Sequence, residues 1–270
     1  MSRCQEFCAR LSGLQEVPPN HALNEQPASG KVHVTLRCNK LTLSGKFKNL
    51  SSPLLPVPPI GGSPAHIHLG APGVNGGVIF SLKVHVNSNG RSGSFDPCRN
   101  TFHLTDAQVR ALKNGEYYVN IHTETYPSGE IRGQLLPKVE KCKQYLVVLS
   151  GGNEVPPVDT GASGTLLANY DCDKLVLSGT FGGLESQLLS IGGSPAHVHQ
   201  GAEGVNGPVL IPLSVVHDED NLGGKLLRKD NKYKLTRAQK ELLRNQELYV
   251  NIHTIDHPSG ELRGQLVPLH

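Results

Sequence analysis

Two sets of three histidines recur in the sequence, and imidazoles grouped in this way are typical of a transition-metal site. The sets are His66, His68 and His122, and then His197, His199 and His253. Residues i and i+2 of a β-strand point to the same face about 7 Å apart, so a His-x-His pair can direct both rings to one ion. A third imidazole from a neighbouring strand completes a nitrogen site that suits copper, zinc or nickel. We therefore expect one metal ion in each half, copper by preference and zinc as the alternative.

These histidines have a second interpretation, in which they are hydrogen-bonded polar residues that tie loops to a sheet. That interpretation would be preferred for a lone histidine, since imidazole serves many structural roles. Because the same three residues recur together in two halves that differ elsewhere, metal binding is the favoured interpretation.

The segment after the third histidine carries polar residues that could support the site. Glu130, Arg132 and Gln134 alternate and so share one face of a strand. A metal-bound imidazole usually donates its second N–H to an acceptor, and Glu130 is the candidate for that role. It could equally be a fourth ligand, or form a plain salt bridge with Arg132. Glu261 and Arg263 hold the matching positions in the second half, with the same alternatives.

The histidines lie in segments that occur twice, which points to two copies of one domain. Gly-Gly-Ser-Pro-Ala-His-x-His begins at Gly61 and again at Gly192, and Tyr-Val-Asn-Ile-His-Thr begins at Tyr118 and Tyr249. Glu-Val-Pro-Pro also recurs, at a slightly longer spacing, which places the boundary near Lys138. We expect two domains, 1–138 and 139–270, of ordinary size.

Short alternating or apolar runs, broken by Gly, Pro, Asn and Ser, predict antiparallel strands throughout each copy. One helix per copy is expected just before the Tyr-Val-Asn-Ile-His strand. There Thr105 is followed three residues later by Gln108, and Thr236 by Gln239, a spacing typical of a capping box. The predicted fold is all-β, with two tandem Greek-key β-sandwich domains, each carrying one short helix.

The six cysteines fall at positions that the repeat relates. Cys38 and Cys172 precede matching strands, and Cys4 and Cys142 precede the matching Glu-Val-Pro-Pro segments. We therefore predict one bridge per domain and a third between the two cysteines that are left. The predicted bridges are Cys4–Cys38, Cys142–Cys172 and Cys8–Cys98. Six paired cysteines suit an oxidising compartment; six buried free thiols are the alternative.

Charge and hydropathy exclude some functions. The formal net charge is +3 and the charges are scattered, so neither nucleic-acid binding nor a membrane-surface role has compositional support. No stretch approaches the roughly 20 apolar residues of a membrane-spanning helix. The amino terminus lacks the apolar core of a signal peptide, so the protein is either cytosolic or has had a signal removed. The cysteines favour the second alternative, a secreted protein.

The repeated motifs together resemble a known family. Glu-Val-Pro-Pro, Ser-Pro-Ala-His-x-His-x-Gly-Ala-x-Gly-x-Asn-Gly, Tyr-Val-Asn-Ile-His-Thr and Gly-Glu-x-Arg-Gly-Gln-Leu, all present twice, resemble the CHRD domain, the repeat first named from chordin. The resemblance covers nearly the whole chain. It implies an extracellular module that has no well-defined reaction.

A more distant similarity is to copper/zinc superoxide dismutase, whose copper is held partly by a His-x-His strand and a later histidine. His66, His68 and His122 occur in the corresponding order. The loop that would supply a bridging histidine and a zinc set is missing, since residues 69–82 contain no histidine. Neither a dinuclear site nor dismutase activity of the usual kind is therefore expected.

Three functions remain. The first is a secreted module that binds one copper ion per domain and serves copper capture, adhesion or matrix assembly, with an extracellular protein or matrix component as partner. The second is a copper-dependent redox enzyme, because three histidines leave coordination positions open. The third is a metal-free protein-interaction module. No phosphate loop, dinucleotide fingerprint or serine-hydrolase motif supports nucleotide or hydrolase chemistry.

Overall fold

The computed structural model describes residues 4–20, 27–57, 62–138, 143–171 and 173–269. The chain divides into two compact units, Met1–Lys138 and Val139–His270. Each unit consists mainly of β-strands, and each described part contains one α-helix. The predicted all-β fold of two tandem sandwich-like domains is therefore confirmed.

The first unit is built on one curled antiparallel sheet. Its strands are β1 (Gln5–Ser12), β2 (Ser29–Arg37), β3 (Lys40–Lys48), β4 (Ala65–Leu69), β5 (Val78–Ser81), β6 (Val84–Val86), β7 (Gly93–Phe95), β8 (Thr101–His103), β9 (Tyr117–Ile121), β10 (Ile131–Gln134) and β11 (Leu136–Pro137). Their order in the sheet is β5-β4-β9-β10-β1-β2-β3-β7-β6, with β11 also pairing β1 and β8 also pairing β3. The His-x-His strand β4 thus lies beside β9, which leads to the third histidine.

Alternation along the strands explains where the core lies. Val32, Val34 and Leu36 of β2 are at most 2% exposed and pack inside the curl. Ile67 of β4 and Val119 of β9 are fully buried against the same cluster. Since side chains alternate between faces, the histidines that flank Ile67 must point to the opposite side of the sheet.

The second unit repeats this arrangement strand for strand. Its strands are β12 (Lys143–Ser150), β13 (Ser163–Asp171), β14 (Lys174–Gly182), β15 (Ala196–Gln200), β16 (Val209–Pro212), β17 (Val216–His217), β18 (Gly223–Leu226), β19 (Lys232–Lys234), β20 (Leu248–Ile252), β21 (Leu262–Gln265) and β22 (Val267–Pro268). The order is β16-β15-β20-β21-β12-β13-β14-β18-β17, with β22 also pairing β12 and β19 also pairing β14.

The two predicted helices are present, α1 at Asp106–Asn114 and α2 at Arg237–Arg244. Thr105 caps α1 by accepting a hydrogen bond from the Gln108 backbone N–H, and the Gln108 side chain accepts from the Thr105 N–H in return. Thr236 and Gln239 repeat the exchange at α2. The capping boxes satisfy N–H groups that a helix start otherwise leaves unpaired.

Two of the predicted disulfides are wrong, because Cys4, Cys38 and Cys98 are exposed free thiols. The Cys4–Cys38 bridge fails on register. Gln5 lies opposite Leu36, so Cys4 is level with Arg37, while Cys38 sits in the following turn with a φ of 55°.

The Cys8–Cys98 bridge fails on distance. Cys8 lies on β1, and Cys98 lies in the turn between β7 and β8, both of which pair with β3. Because β2 separates β1 from β3, the two cysteines stand about 10 Å apart or more, beyond the reach of a disulfide. The Cys142–Cys172 bridge lies outside the described residues and stays a prediction.

Among the described residues, neither helix is long and apolar enough to cross a membrane.

Candidate metal centre

The pairing of β4 with β9 brings the first three histidines to one side of the sheet. His66 lies opposite Asn120 and His68 lies opposite Tyr118. His122 follows β9 directly, and its backbone N–H donates to the Pro64 carbonyl at 2.8 Å, which fixes it beside the start of β4. The pairing of β15 with β20 repeats this register in the second unit.

Each set of three imidazoles meets in a compact, buried group. One ring nitrogen from each histidine of a set lies within 4.8 Å of those of the other two. The ring centroids are 5.2, 5.8 and 6.2 Å apart in the first unit and 5.1, 5.8 and 5.9 Å apart in the second. The six residues are between 1% and 8% exposed. The sequence prediction that each triplet shares one point is confirmed in its geometry.

Hydrogen bonds to backbone carbonyls fix the tautomers in the second unit. His197 Nε2 lies 2.9 Å from the carbonyl oxygen of Ile191. His199 Nδ1 and His253 Nδ1 each lie 3.0 Å from a carbonyl oxygen, that of Gly207 and that of Pro258. The second nitrogen of each ring takes no part in these contacts. A carbonyl oxygen can only accept, so the bonded nitrogen carries the proton and the other carries the lone pair. His197 Nδ1, His199 Nε2 and His253 Nε2 are buried and have no hydrogen-bond partner.

In the first unit, two of the three histidines make the same kind of hydrogen bond to a backbone carbonyl. The Nδ1 atoms of His68 and His122 donate to the carbonyls of Gly76 and Pro127, both at 2.9 Å. Their Nε2 atoms are buried without a partner. A buried nitrogen without a hydrogen bond is costly in an empty site and is satisfied when it coordinates a cation.

Burial also sets the charge of these rings. Loss of solvation lowers the pKa of His122 to about 4, with the neighbouring His66 and His68 adding to the effect against the Pro127 hydrogen bond. Burial first and then His197 lower the pKa of His253 to about 4. These two rings are therefore neutral at pH 7, which is the form that binds metals.

An aromatic ring and a buried cation support the second histidine of each set. The His68 ring stacks on Tyr118 with centroids 4.8 Å apart, and the Arg132 guanidinium lies 3.5 Å from the centre of the same Tyr118 ring. Strand β9 lies between β4 and β10, so His68 and Arg132 approach Tyr118 from opposite sides. His199, Tyr249 and Arg263 repeat the stack.

Arg132 does not form a salt bridge with Glu130, which was one of the alternatives for this pair. Its guanidinium donates instead to the Asn75 side chain and to the carbonyls of Ala71 and Val74. Arg263 makes the equivalent three bonds to Asn206, Ala202 and Val205. The arginines therefore hold the turn that supplies the Gly76 and Gly207 carbonyls.

The prediction that Glu130 orients a ligand histidine is also wrong. Its carboxylate accepts from the Ser51 backbone N–H at 2.7 Å, the Ser51 hydroxyl at 3.0 Å and the Thr123 hydroxyl at 2.7 Å. Glu261 likewise accepts from Thr160, from the Glu185 N–H and from Thr254. The reason is local, because the Pro127 carbonyl accepts from the ring Nδ1–H of His122 and leaves no donor for the carboxylate. Both glutamates anchor loops.

Backbone carbonyls therefore accept the histidine hydrogen bonds that were expected to go to the carboxylate of Glu130. The carbonyls of Gly76 and Pro127 carry no sequence signal of their own, although both lie in repeated motifs. Gly73 has a positive φ of 82°, and the Gly76 carbonyl three residues later accepts from His68. No residue type marks that carbonyl in the sequence.

The repeated Glu-Val-Pro-Pro segment places the buried carboxyl group of Glu16 beside Asn120, the residue that lies opposite His66. Glu16 is 6% exposed, and the Asn120 amide donates to its Oε2 at 3.5 Å. Burial raises the pKa of Glu16 to about 8 against the opposing effect of Arg132, and burial raises the pKa of Glu154 to about 7. Glu16 therefore holds its proton at neutral pH.

Residues 7–135 and 145–266 each match the family model of the CHRD domain. The chain belongs to the CHRD domain family. The two matched segments carry one histidine triplet each, so each CHRD domain has a triplet of its own. No curated protein matches the chain. The similarity to copper/zinc superoxide dismutase therefore gains no support from a relative.

Proposed function

We propose that each CHRD domain of this protein binds one transition-metal ion, copper by preference, through its three histidines. His66, His68 and His122 would hold the ion in the first domain, and His197, His199 and His253 would hold it in the second. Zinc is the alternative metal. The proposal makes the protein a secreted metal-binding module with two equivalent sites.

The supporting observation is the set of converging lone pairs in the second domain. One nitrogen of each ring lies within 4.8 Å of those of the other two, and each ring has one buried nitrogen without a hydrogen-bond partner. Three backbone carbonyls hold the opposite nitrogens in the protonated state, so the free lone pairs are fixed in place. Without an ion, this arrangement would leave three buried acceptors unsatisfied.

The donor set favours copper over other metals. All three ligands are imidazoles, and Glu130 and Glu261, the carboxylates expected to be nearby, are engaged elsewhere. For a nitrogen site of this kind, affinity rises along the first row and is highest for Cu²⁺.

Burial favours retention of the ion over turnover of a bulky substrate. The six ligand residues are at most 8% exposed, so a large organic molecule has no direct approach to them. Three protein ligands still leave a coordination position for a small molecule, so a redox activity on a small oxygen species is the second candidate. An extracellular matrix role rests on the CHRD domain itself, since the free thiols of Cys4, Cys38 and Cys98 remove much of the disulfide argument for secretion.

The test is copper stoichiometry in full-length protein without a histidine tag. We expect two copper ions per chain after reconstitution and dialysis, one in His68→Ala, one in His199→Ala and none in the double variant. His103→Ala is the matched control, because His103 is an exposed histidine on β8 outside either triplet. It should keep both ions.

Less than about 0.2 copper per chain in the wild-type protein would contradict the proposal. So would equal loss in the His103→Ala control. If the protein retains zinc and not copper when both are offered in equal amounts, the three-histidine site stands and its metal is zinc.

A further inference from the structure

A row of four basic side chains and one serine crosses the outer face of the first domain, away from the histidine triplet. Five directly opposed residues on adjacent strands form it, and we call this set the cationic row: Arg10 on β1, Lys31 on β2, Lys46 on β3, Ser94 on β7 and His85 on β6. Their neighbours Val32 and Phe95 are buried in the core, so the row lies on the solvent side. At about 4.8 Å per strand, it is about 19 Å long.

The second domain does not repeat the cationic row. The residues opposed in the same way there are Val148, Thr165, Thr180, Lys225 and Val216. One of these five is basic, Thr165 is buried and Thr180 is half-buried. The row is therefore a feature of the first copy, in a protein whose metal-site residues are the same in both.

At the centre of the row two lysines oppose each other, and in the described part of the chain no acid is paired with either. Lys31 and Lys46 face each other directly across two strands, which destabilises a sheet. Neither forms an ion pair with any residue in the described part of the chain. Glu6, on the same face of β1, is already paired with Lys138 at 2.6 Å. Burial first, and then the nearby cations Arg10 and Lys138, lower the pKa of Lys31.

A groove accompanies the charges. It has a volume of ≈ 490 Å³ and is lined by Lys31, His33, Ser44, Lys46 and Ser94, among others. Two ammonium groups, an imidazole and two hydroxyls are donors suited to sulfate or carboxylate oxygens. An anionic ligand would relieve the repulsion between Lys31 and Lys46. The pair would therefore bind an anion more tightly than an isolated lysine does.

We propose that the cationic row binds a sulfated polysaccharide chain, laid across strands β1, β2, β3, β7 and β6. A linear chain with repeated anionic groups matches a linear series of cations, one on nearly every strand. Single-stranded nucleic acid is the less suitable occupant, because it requires aromatic rings that stack on bases. The row has none, since Phe95 beside it is 3% exposed and faces the core.

The experiment measures binding of a heparin-derived octasaccharide to the full chain by calorimetry, with a chelator present so that the metal sites play no part. In Lys31→Thr/Lys46→Thr, which places the threonines of the second domain in the row, we expect at least a tenfold weaker affinity. The dependence of log Kd on log salt should become shallower by about two, one for each lost contact. The variant should also melt slightly higher than wild type, because the opposed lysines are gone.

The matched control is Lys174→Thr/Lys232→Thr, which removes the same charge from exposed strand positions of the second domain. It should bind within twofold of wild type. An equal loss in both variants would overturn the proposal, because the binding would then follow net charge alone. Tighter binding of polyglutamate or of an oligothymidylate of equal charge would overturn the assignment to a polysaccharide.

Discussion

Replacing Glu16 by glutamine should remove a pH-dependent loss of stability from the first domain. Burial raises the pKa of Glu16 to about 8, from the ordinary value of 4.5 that the carboxyl has in the unfolded chain. The folded state therefore binds the proton more tightly than the unfolded state between these two values. The free energy of unfolding falls as the pH rises from 4.5 through 8. In this window the folded protein must either retain a proton that the unfolded chain releases or bury the charged carboxylate.

The size of the effect follows from that interval. A difference of about 3.5 pH units corresponds to about 5 kcal/mol at the upper end of the window. Glutamine mimics the protonated acid, and its amide can donate to the Asn120 Oδ1, which is buried without a partner. Glu16→Gln should therefore match wild type near pH 5 and exceed it by several kcal/mol at pH 9.

Urea unfolding of the full chain at intervals between pH 5 and pH 9 measures this. The equivalent variant Glu154→Gln is an internal comparison, because burial raises the pKa of Glu154 to about 7, and its gain should be complete at a lower pH. If the curves of wild type and Glu16→Gln remain parallel over the whole range, Glu16 is not protonated in the folded state and the reasoning fails.

Three further predictions concern the second domain. Tyr249→Leu removes the ring stacked on His199 and should weaken copper binding about tenfold at one of the two sites in a chelator competition, as loss of a supporting contact does elsewhere; unchanged affinity would show that the stack does not hold the ligand. Thr236→Ala deletes the α2 cap, whose hydroxyl accepts from the Gln239 N–H at 3.2 Å, and should lower stability by about 1 kcal/mol in thermal unfolding. Because burial lowers the pKa of His253 to about 4, the unfolded state binds more protons between pH 6.5 and 4, so stability falls on acidification through that window. Copper should remain bound at pH 5.5 in dialysis; release already at pH 6.5 would contradict this pKa.

The fold and the two triplets could be predicted because they depend on periodicity and repetition. The His-x-His spacing fixes which face of β4 carries His66 and His68, whatever the length of the strand. The capping boxes at Thr105 and Thr236 depend on residues three positions apart. Such features are local, and the sequence displays them twice.

Features that depend on strand register or on backbone groups could not be predicted. The repeat shows that Cys4 and Cys142 are equivalent, but it does not show that Cys4 lies level with Arg37. Similarly, alternation places Glu130 on the same face as Arg132 and Gln134, while the path of the chain at Pro127 decides which acceptor reaches the ring Nδ1–H of His122. Every residue has a carbonyl, so no residue type reveals the one that binds.

Copper-edge X-ray absorption on tag-free full-length protein, loaded with copper, tests the metal site most directly. The account predicts a first shell of nitrogen or oxygen atoms with the outer-shell pattern of three imidazole rings per copper. The His199→Ala variant should give the same spectrum per copper ion, with half as much copper bound per chain. A sulfur shell, or a spectrum without imidazole scattering, would show that copper binds elsewhere and that the two histidine triplets hold no ion.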